Sequence, residues 1–356
     1  MTEDAKIRAV EQQLLTSISA QRQDELLRKH AAFWKRQSHS GPLIGFAPNS
    51  RIFPLQNLKF EHEGRLNAED ITEEVIKSDT QFVPPIDPED ELLPGKIPLE
   101  PFAFSEGYTG AEVYMSSKAF AVWTKAYDDV PQNIPQLEEG LQPAWMDVLL
   151  KGTSANVKAA QGRHLISEAL LRGPADCLEA LIGAERLCLW LYDRPQLVRE
   201  MADWLAEKII TLTKAQLAAI GEFHGGMINR YRIWGPGRNI VTQADISNIL
   251  SPDQFRDFFL PAYRKIAGAF DTATIHFHSS SVQHVDALLE IDELAAIEWG
   301  LDPVGPSLED MVSVFKQILE TKCVIIMNIK TDQEVQMLLE NLPGEGLCII
   351  KRKDYK

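Results

Sequence analysis

The segment Thr272-Ala-Thr-Ile-His-Phe-His-Ser-Ser-Ser281 joins an apolar stretch to a serine-rich loop. Its first part, Ala273 to Phe277, predicts a short buried strand. Side chains in a strand repeat every two residues, so His276 and His278 point to the same side where the strand becomes loop. Two neighbouring imidazoles at the carboxyl end of a strand are suited to bind one metal ion or a substrate.

On both sides of this segment, apolar strands alternate with amphipathic helices. From Leu43 to Ile350 we count roughly eight such strands, which favours a closed barrel over an open sheet. The strands are apolar without alternation, a pattern typical of a parallel sheet covered by helices. We therefore predict an α/β protein, a (β/α)8 TIM barrel at residues 41–356 with an N-terminal helical extension at residues 1–40.

The helical extension is predicted from apolar residues at three- and four-residue steps, first Ile7, Val10, Leu14 and Ile18 and then Leu26, Leu27 and Phe33. Among the predicted barrel strands are His164–Leu171 and Met227–Trp234, the second ending at Gly235-Pro-Gly237. In a TIM barrel the active site lies at the carboxyl ends of the strands. That end is where we expect His276, His278, Trp234, Trp299 and Arg172.

Charge and composition exclude several functional classes. The chain has 36 basic and 51 acidic residues and a formal net charge of −15, which makes a nucleic-acid-binding surface a poor expectation. Its start lacks the layout of a signal peptide, and its apolar runs are shorter than a bilayer span. We expect a soluble cytoplasmic protein with no membrane contact. The four cysteines form no CxxC pair, as expected of reduced thiols.

The segment from Val241 to Tyr263 resembles the uroporphyrinogen decarboxylase superfamily. That family often shows an aspartate, a Ser-Pro step, a phenylalanine and a proline, and then a strand that ends in a histidine. This chain has the same residue types in the same order: Asp245, Ser251-Pro252, Phe255, Pro261 and His276. The segments Leu171–Pro174 and Asp193–Pro195 also resemble that family's middle region. The resemblance extends over residues 160–350 and implies a barrel fold.

The methyltransferase branch of that superfamily holds zinc with a His-x-Cys motif and a distant cysteine, and it moves a methyl group between a corrinoid protein and a thiol. Here His276 matches the histidine, His278 stands in place of the first cysteine, and Ser279 replaces a glycine. Cys348 is the cysteine nearest the place of the distant ligand. The resemblance implies a zinc-dependent methyltransferase that acts on a small-molecule substrate with a corrinoid carried by a partner protein.

A metal ion held by His276 and His278 needs a third ligand. The candidates are Glu298, Glu168, Asp245 and Cys348, and we take Glu298 as the predicted ligand. Asp245 is the predicted acid or base, or a hydrogen-bond partner of the substrate, with His276 as its catalytic partner. The alternative for Asp245 is a cap or turn residue.

Three further residues are predicted to bind the cofactor or substrate. Arg172 has the donor fork that suits a carboxylate, and its alternative is a salt bridge to Asp176. Trp234 and Trp299 could form flat pocket walls, and packing against the helices is their alternative.

Two other functions stay open. One is a decarboxylase of a carboxylated tetrapyrrole, with Asp245 stabilising a cationic pyrrole and Arg172 holding a carboxylate; that branch's arginine-rich N-terminal segment is missing here. The other is a non-catalytic barrel that binds a tetrapyrrole or a corrinoid protein, suggested by His278 and Ser279. A homodimer is a further expectation that the sequence does not test.

Overall fold

The computed structural model describes residues 15–37, 41–48, 60–302 and 305–353. The predicted helix through Ile7, Val10 and Leu14 therefore lies outside the described residues. The second part of the predicted extension is confirmed as helix α1 (Ala20–Trp34). Ser19 caps α1, because its Oγ accepts a hydrogen bond from the backbone N–H of Arg22 at 3.2 Å.

The described strands are β1 (Leu43–Pro48), β2 (Glu63–Leu66), β3 (Gly95–Lys96), β4 (Glu112–Ser116), β5 (Ala121–Lys125), β6 (Leu165–Ile166), β7 (Gly226–Ile228), β8 (Trp234–Pro236), β9 (Asn239–Gln243), β10 (Thr272–His278), β11 (Ala296–Gly300), β12 (Cys323–Ile329) and β13 (Leu347–Lys353). After α1, the helices are α2 (Glu73–Thr80), α3 (Phe104–Tyr108), α4 (Ile134–Glu139), α5 (Pro143–Ala160), α6 (Pro174–Ile182), α7 (Ala184–Asp193), α8 (Pro195–Ile220), α9 (Leu260–Gly268), α10 (Val285–Leu289), α11 (Leu308–Leu319) and α12 (Asp332–Asn341). No helix among the described residues is long and apolar enough to cross a membrane.

A central parallel sheet makes this a mixed α/β protein. Six parallel strands are hydrogen-bonded in the order β1-β13-β12-β11-β10-β9. Strands β3 and β6 form a second parallel pair, while β2, β4 and β5 form an antiparallel sheet and β7 and β8 an antiparallel hairpin. Strand β10 contains the predicted strand Ala273–Phe277, and the described elements after it alternate between helix and strand as predicted.

The two sides of the central sheet have different neighbours. Side chains on one side pack against the helices in the largest apolar cluster; examples are Ile275, Phe277, Ile297 and Trp299. Side chains on the other side form a separate cluster with α1 and the tip of the β7–β8 hairpin; examples are Leu43, Val241, Ala296, Ile325 and Cys348. We call this second side the inner side. In the β10–β11 register His276 pairs with Glu298 and His278 with Gly300, so these positions also face the inner side.

The prediction of a single strand over Met227–Trp234 is wrong. The chain instead reverses between β7 and β8, because the side-chain oxygen of Asn229 accepts hydrogen bonds from the backbone N–H groups of Tyr231 and Ile233 at 3.0 and 3.2 Å. The strand that joins the central sheet is β9, and it follows the hairpin. The predicted strand over His164–Leu171 is shorter in the structure, where only β6 is extended and paired.

Candidate metal centre

Three side chains from two adjacent strand ends converge on one point. Asp245 follows β9 and opens a 3-10 turn (Asp245–Ile249), while His276 and His278 end β10. The Nε2 atoms of the two histidines lie 3.3 Å apart. Asp245 Oδ1 lies 3.6 Å from Nε2 of His276 and 3.5 Å from Nε2 of His278. Among the described residues, these three form the group whose atoms could hold one metal ion.

The spacing of these atoms fits a small tetrahedral ion. Zinc binds histidine nitrogen and carboxylate oxygen at about 2.0–2.1 Å, which places two tetrahedral ligand atoms about 3.3 Å apart. Asp245 Oδ1 is buried, and the groups nearest to it are the two histidine Nε2 atoms at 3.5 and 3.6 Å. A cation bound between these three atoms would give the carboxylate oxygen a partner at bonding distance.

Two carboxylates orient the histidine rings from the far side. Glu298 contacts Nδ1 of His276, and Asp302 accepts a hydrogen bond from Nδ1 of His278 at 2.7 Å. Both Nε2 atoms are thereby left to face Asp245. Histidines that bind metals commonly donate their other ring N–H to a carboxylate in this way, which fixes the tautomer and the ring orientation.

Further hydrogen bonds hold each of these two residues in place. The Tyr231 hydroxyl, from the tip of the β7–β8 hairpin, donates to Glu298 Oε2 at 2.7 Å. Asp302 accepts from the backbone N–H of Ser280 at 3.1 Å, and its own backbone N–H donates to Ser279 Oγ at 3.0 Å. Sequence reasoning missed Tyr231 and Asp302, since both come from turns whose position depends on the tertiary fold. It noted Ser279 only as a departure from a family motif.

The structure places Glu298, the predicted third ligand, outside the group of three. Parallel register sets it directly beside His276, so its carboxylate reaches the near ring nitrogen rather than Nε2. Asp245 takes the third position instead. Of the other candidates, Glu168 Oε1 accepts from the backbone N–H groups of Arg230 and Val241, and Cys348 is buried in the apolar cluster of the inner side.

Charge around the three residues favours an ionised Asp245. Burial alone would raise the pKa of Asp245, but the two histidines and Arg172 lower it below its ordinary value. The Asp245 carboxylate is in turn the main reason that the pKa of His278 is raised to about 9, with Asp302 adding to the effect and burial opposing it. Without a metal ion, His278 therefore carries a proton at neutral pH, and a bound cation would replace that proton.

Arg172 lies at the same edge of the sheet but is already paired. Its Nε lies 3.2 Å from Oε1 of Glu106, whose side chain is fully buried. Its backbone N–H donates to Ser105 Oγ at 2.9 Å. The ion pair is with Glu106 and not with Asp176, the alternative expected from the sequence. Asp176 accepts from the backbone N–H of Ile246 at 2.9 Å and so holds the turn that carries Asp245.

The two predicted pocket tryptophans lie away from the group of three. Trp299 is fully buried on the helix-covered side of the sheet, with ring centroids 5.9 Å from Phe277 and 6.5 Å from Phe315. Trp234 lies on β8, before the amino end of β9, and its indole N–H donates to the Phe223 carbonyl at 2.8 Å. In both cases the structure matches the packing alternative.

Replacing Asp302 by asparagine is expected to lower zinc affinity by about 10- to 100-fold, the usual effect of losing a partner behind a metal-bound histidine. The physical reason is that an amide orients the His278 ring less strongly than a carboxylate does. A competitive chelator titration measures the change. Asp271→Asn is the matched control, because Asp271 is an exposed aspartate paired with Arg238. Equal affinities in the two variants would contradict the assigned role.

The chain is similar in structure to solved proteins, among them a methyltransferase. The methyltransferase from Methanosarcina mazei matches with a TM-score of 0.61 over 92% of this chain and 93% of that chain, at 13% sequence identity. The two proteins share a fold. No protein-family model matches this chain, and no curated protein matches it in sequence.

Proposed function

We propose that this chain is a zinc-dependent methyltransferase of the uroporphyrinogen decarboxylase superfamily, with Asp245, His276 and His278 as the zinc ligands. The observation that carries the proposal is the convergence of their three ligand atoms at 3.3, 3.5 and 3.6 Å, with a carboxylate behind each histidine ring. The fold shared with a methyltransferase supports the reaction class.

The proposal includes a closed (β/α)8 barrel. Eight parallel strands are present in two ladders, β3 and β6 in one and β1 with β9 to β13 in the other. Two contacts span the gaps between the ladders and support closure. The Glu91 backbone N–H, shortly before β3, donates to the Ile44 carbonyl in β1 at 3.1 Å, and Glu168, just after β6, accepts from the Val241 N–H in β9 at 3.0 Å. In a barrel the group of three lies at the carboxyl ends of the strands.

The protein residues prepare one open coordination position. Three protein ligands on a tetrahedral ion leave the fourth position for a substrate, as in catalytic zinc sites. Two neutral imidazoles and one carboxylate leave a net positive charge on the site, whereas two thiolates would cancel it. When bound, zinc would supply a Lewis acid for the heteroatom that gives or receives the methyl group. Glu298 and Asp302 hold the rings so that this position does not shift.

A corrinoid borne by a partner protein is the proposed second reactant, supported by the sequence resemblance. In the direction toward the corrinoid, the bond between methyl carbon and heteroatom breaks and both electrons stay on the heteroatom. The electron pair of the new cobalt–carbon bond comes from cob(I)alamin. A proton from solvent neutralises the heteroatom. The reverse direction uses methylcobalamin and a deprotonated acceptor.

Metal analysis and a methyl-transfer assay on the purified chain test the proposal together. We expect about one zinc per chain, as in a mononuclear catalytic site. We also expect zinc-dependent conversion of methylcobalamin to cob(I)alamin with a small thiol, followed by its visible spectrum. Absence of metal after reconstitution with zinc would refute the zinc centre. Stoichiometric zinc without methyl transfer from or to cobalamin would refute the proposed reaction and favour a non-catalytic barrel.

A further inference from the structure

Arg230 lies at the tip of the β7–β8 hairpin, one side chain away from the candidate metal centre. Its guanidinium carbon lies 5.6 Å from the centroid of the Tyr231 ring. The Tyr231 hydroxyl lies 2.7 Å from Glu298 Oε2 and 3.5 Å from Nδ1 of His276. The hairpin tip packs on the inner side of the sheet, the side that also carries the two histidines.

The Arg230 guanidinium has no hydrogen bond or ion pair with any residue in the described ranges. Two other arginines, by contrast, are ion-paired: Arg172 with Glu106, and Arg232 with Asp90 at 2.8 Å. Arg230 is half-buried, so its charge is partly removed from water. A carboxylate supplied by a ligand would give this partly desolvated guanidinium the hydrogen-bonded partner that it lacks among the described residues.

Burial lowers the pKa of Arg230, but the charges of the acidic groups around it raise that pKa above its ordinary value. Those whose charges act on it are Glu100, Glu298 and Glu168. Glu298 is already engaged by Tyr231 and His276. Burial raises the pKa of Glu168 to about 8, so this side chain is largely uncharged at neutral pH. Burial also raises the pKa of Glu100. None of these three carboxylates forms an ion pair with the Arg230 guanidinium, so its N–H donors have no carboxylate partner among the described residues.

A guanidinium presents parallel N–H donors that match the two oxygens of a carboxylate. We propose that Arg230 binds a carboxylate group of the small-molecule substrate, whose reacting heteroatom lies at the Asp245, His276 and His278 centre. This inference rests on the proposed function, because it takes the metal centre as the second point of attachment. It assigns the substrate to the class of small carboxylic acids that carry a thiol or a methylated heteroatom.

Cobalt(II) in place of zinc makes the binding of a substrate visible without any turnover. The probes are 3-mercaptopropionate, which has a carboxylate, and 2-mercaptoethanol, a similar thiol that has none. Both thiolates can bind the metal and change its visible spectrum. We expect the cobalt protein to bind 3-mercaptopropionate at least about tenfold more tightly, since a charged hydrogen-bonded pair is lost with the other thiol. The preference should weaken as salt is added.

Arg230→Gln should abolish the preference while leaving the affinity for 2-mercaptoethanol and the cobalt content unchanged. Arg230→Lys, which keeps the charge but loses the planar fork, should retain part of it. Arg238→Gln is the matched control, because Arg238 is an exposed arginine that also lies over an aromatic ring, Phe270. Circular dichroism checks that each variant is folded.

The outcomes separate this inference from the proposed function. A cobalt-loaded wild-type protein that binds both thiols equally, or binds neither, overturns the role of Arg230 and leaves the metal centre standing. A preference for 3-mercaptopropionate that survives in Arg230→Gln also overturns the role of Arg230 and leaves the metal centre standing. A protein that takes up no cobalt or zinc overturns both together. If Arg230→Gln fails to fold, the wild-type preference and its salt dependence decide the matter, and their absence refutes the inference.

Discussion

Replacing His276 by glutamine is expected to lower zinc affinity by more than about 100-fold, beyond the effect typical of an outer partner. Glutamine has a similar reach but offers an amide oxygen in place of the imidazole Nε2, a poorer zinc ligand. The change also removes the group that Glu298 orients. Methyl transfer should fall in parallel because the site loses its cation. Zinc content after dialysis and a competitive chelator titration measure the first effect.

Two variants make this result specific. Asp245→Asn should lower zinc affinity through loss of the anionic ligand, which distinguishes Asp245 from Glu298 as the third ligand. His62→Gln is the matched control, since His62 bonds the Arg65 carbonyl at 2.7 Å beside β2, away from the strands that carry the site. Unchanged zinc content in both His276→Gln and Asp245→Asn would exclude the assigned centre.

Replacing Trp299 by alanine is expected to lower the free energy of unfolding by about 3–5 kcal/mol while leaving zinc affinity unchanged. The indole is fully buried between Phe277 and Phe315, so truncation leaves a large cavity on the helix-covered side of the sheet. Urea denaturation measures the loss of stability. Chelator competition on the folded variant measures zinc affinity.

Trp123→Ala is the matched control for that truncation. Its side chain is 43% exposed and stacks on Tyr114, so we expect the free energy of unfolding to fall by less than about 1 kcal/mol. A Trp299→Ala variant of normal stability with weakened ligand or metal binding would restore the pocket role predicted from the sequence. A large loss of stability with a normal metal site would place Trp299 in the core.

The sequence predicted the second half of the molecule best, because local signals there agree with tertiary packing. Ser307 caps α11, with its Oγ accepting from the backbone N–H of Asp310 at 3.2 Å. The two-residue period of a strand was enough to place His276 and His278 side by side.

Other features depend on register or on side chains that change the path of the backbone. The orientation of Trp299 follows from the pairing of β10 with β11, which alternates Glu298 inward and Trp299 outward. The reversal after β7 depends on the Asn229 side chain, which competes with extended structure over an apolar run. The choice of Asp245 over Glu298 depends on which ring nitrogen each carboxylate reaches.

In the proposed site, the residues that would bind the metal ion and the residue that would bind the substrate carboxylate come from different elements. The tip of the β7–β8 hairpin brings Tyr231 to Glu298 and Arg230 toward the same centre, while the histidines belong to β10. Arg230 lies in the five-residue loop at 229–233, so it can be substituted without disturbing the hydrogen-bonded ladder of the central sheet. In the proposed site, a substitution at the hairpin tip would therefore change which substrate charge is preferred, while the proposed ion and its ligands stay the same.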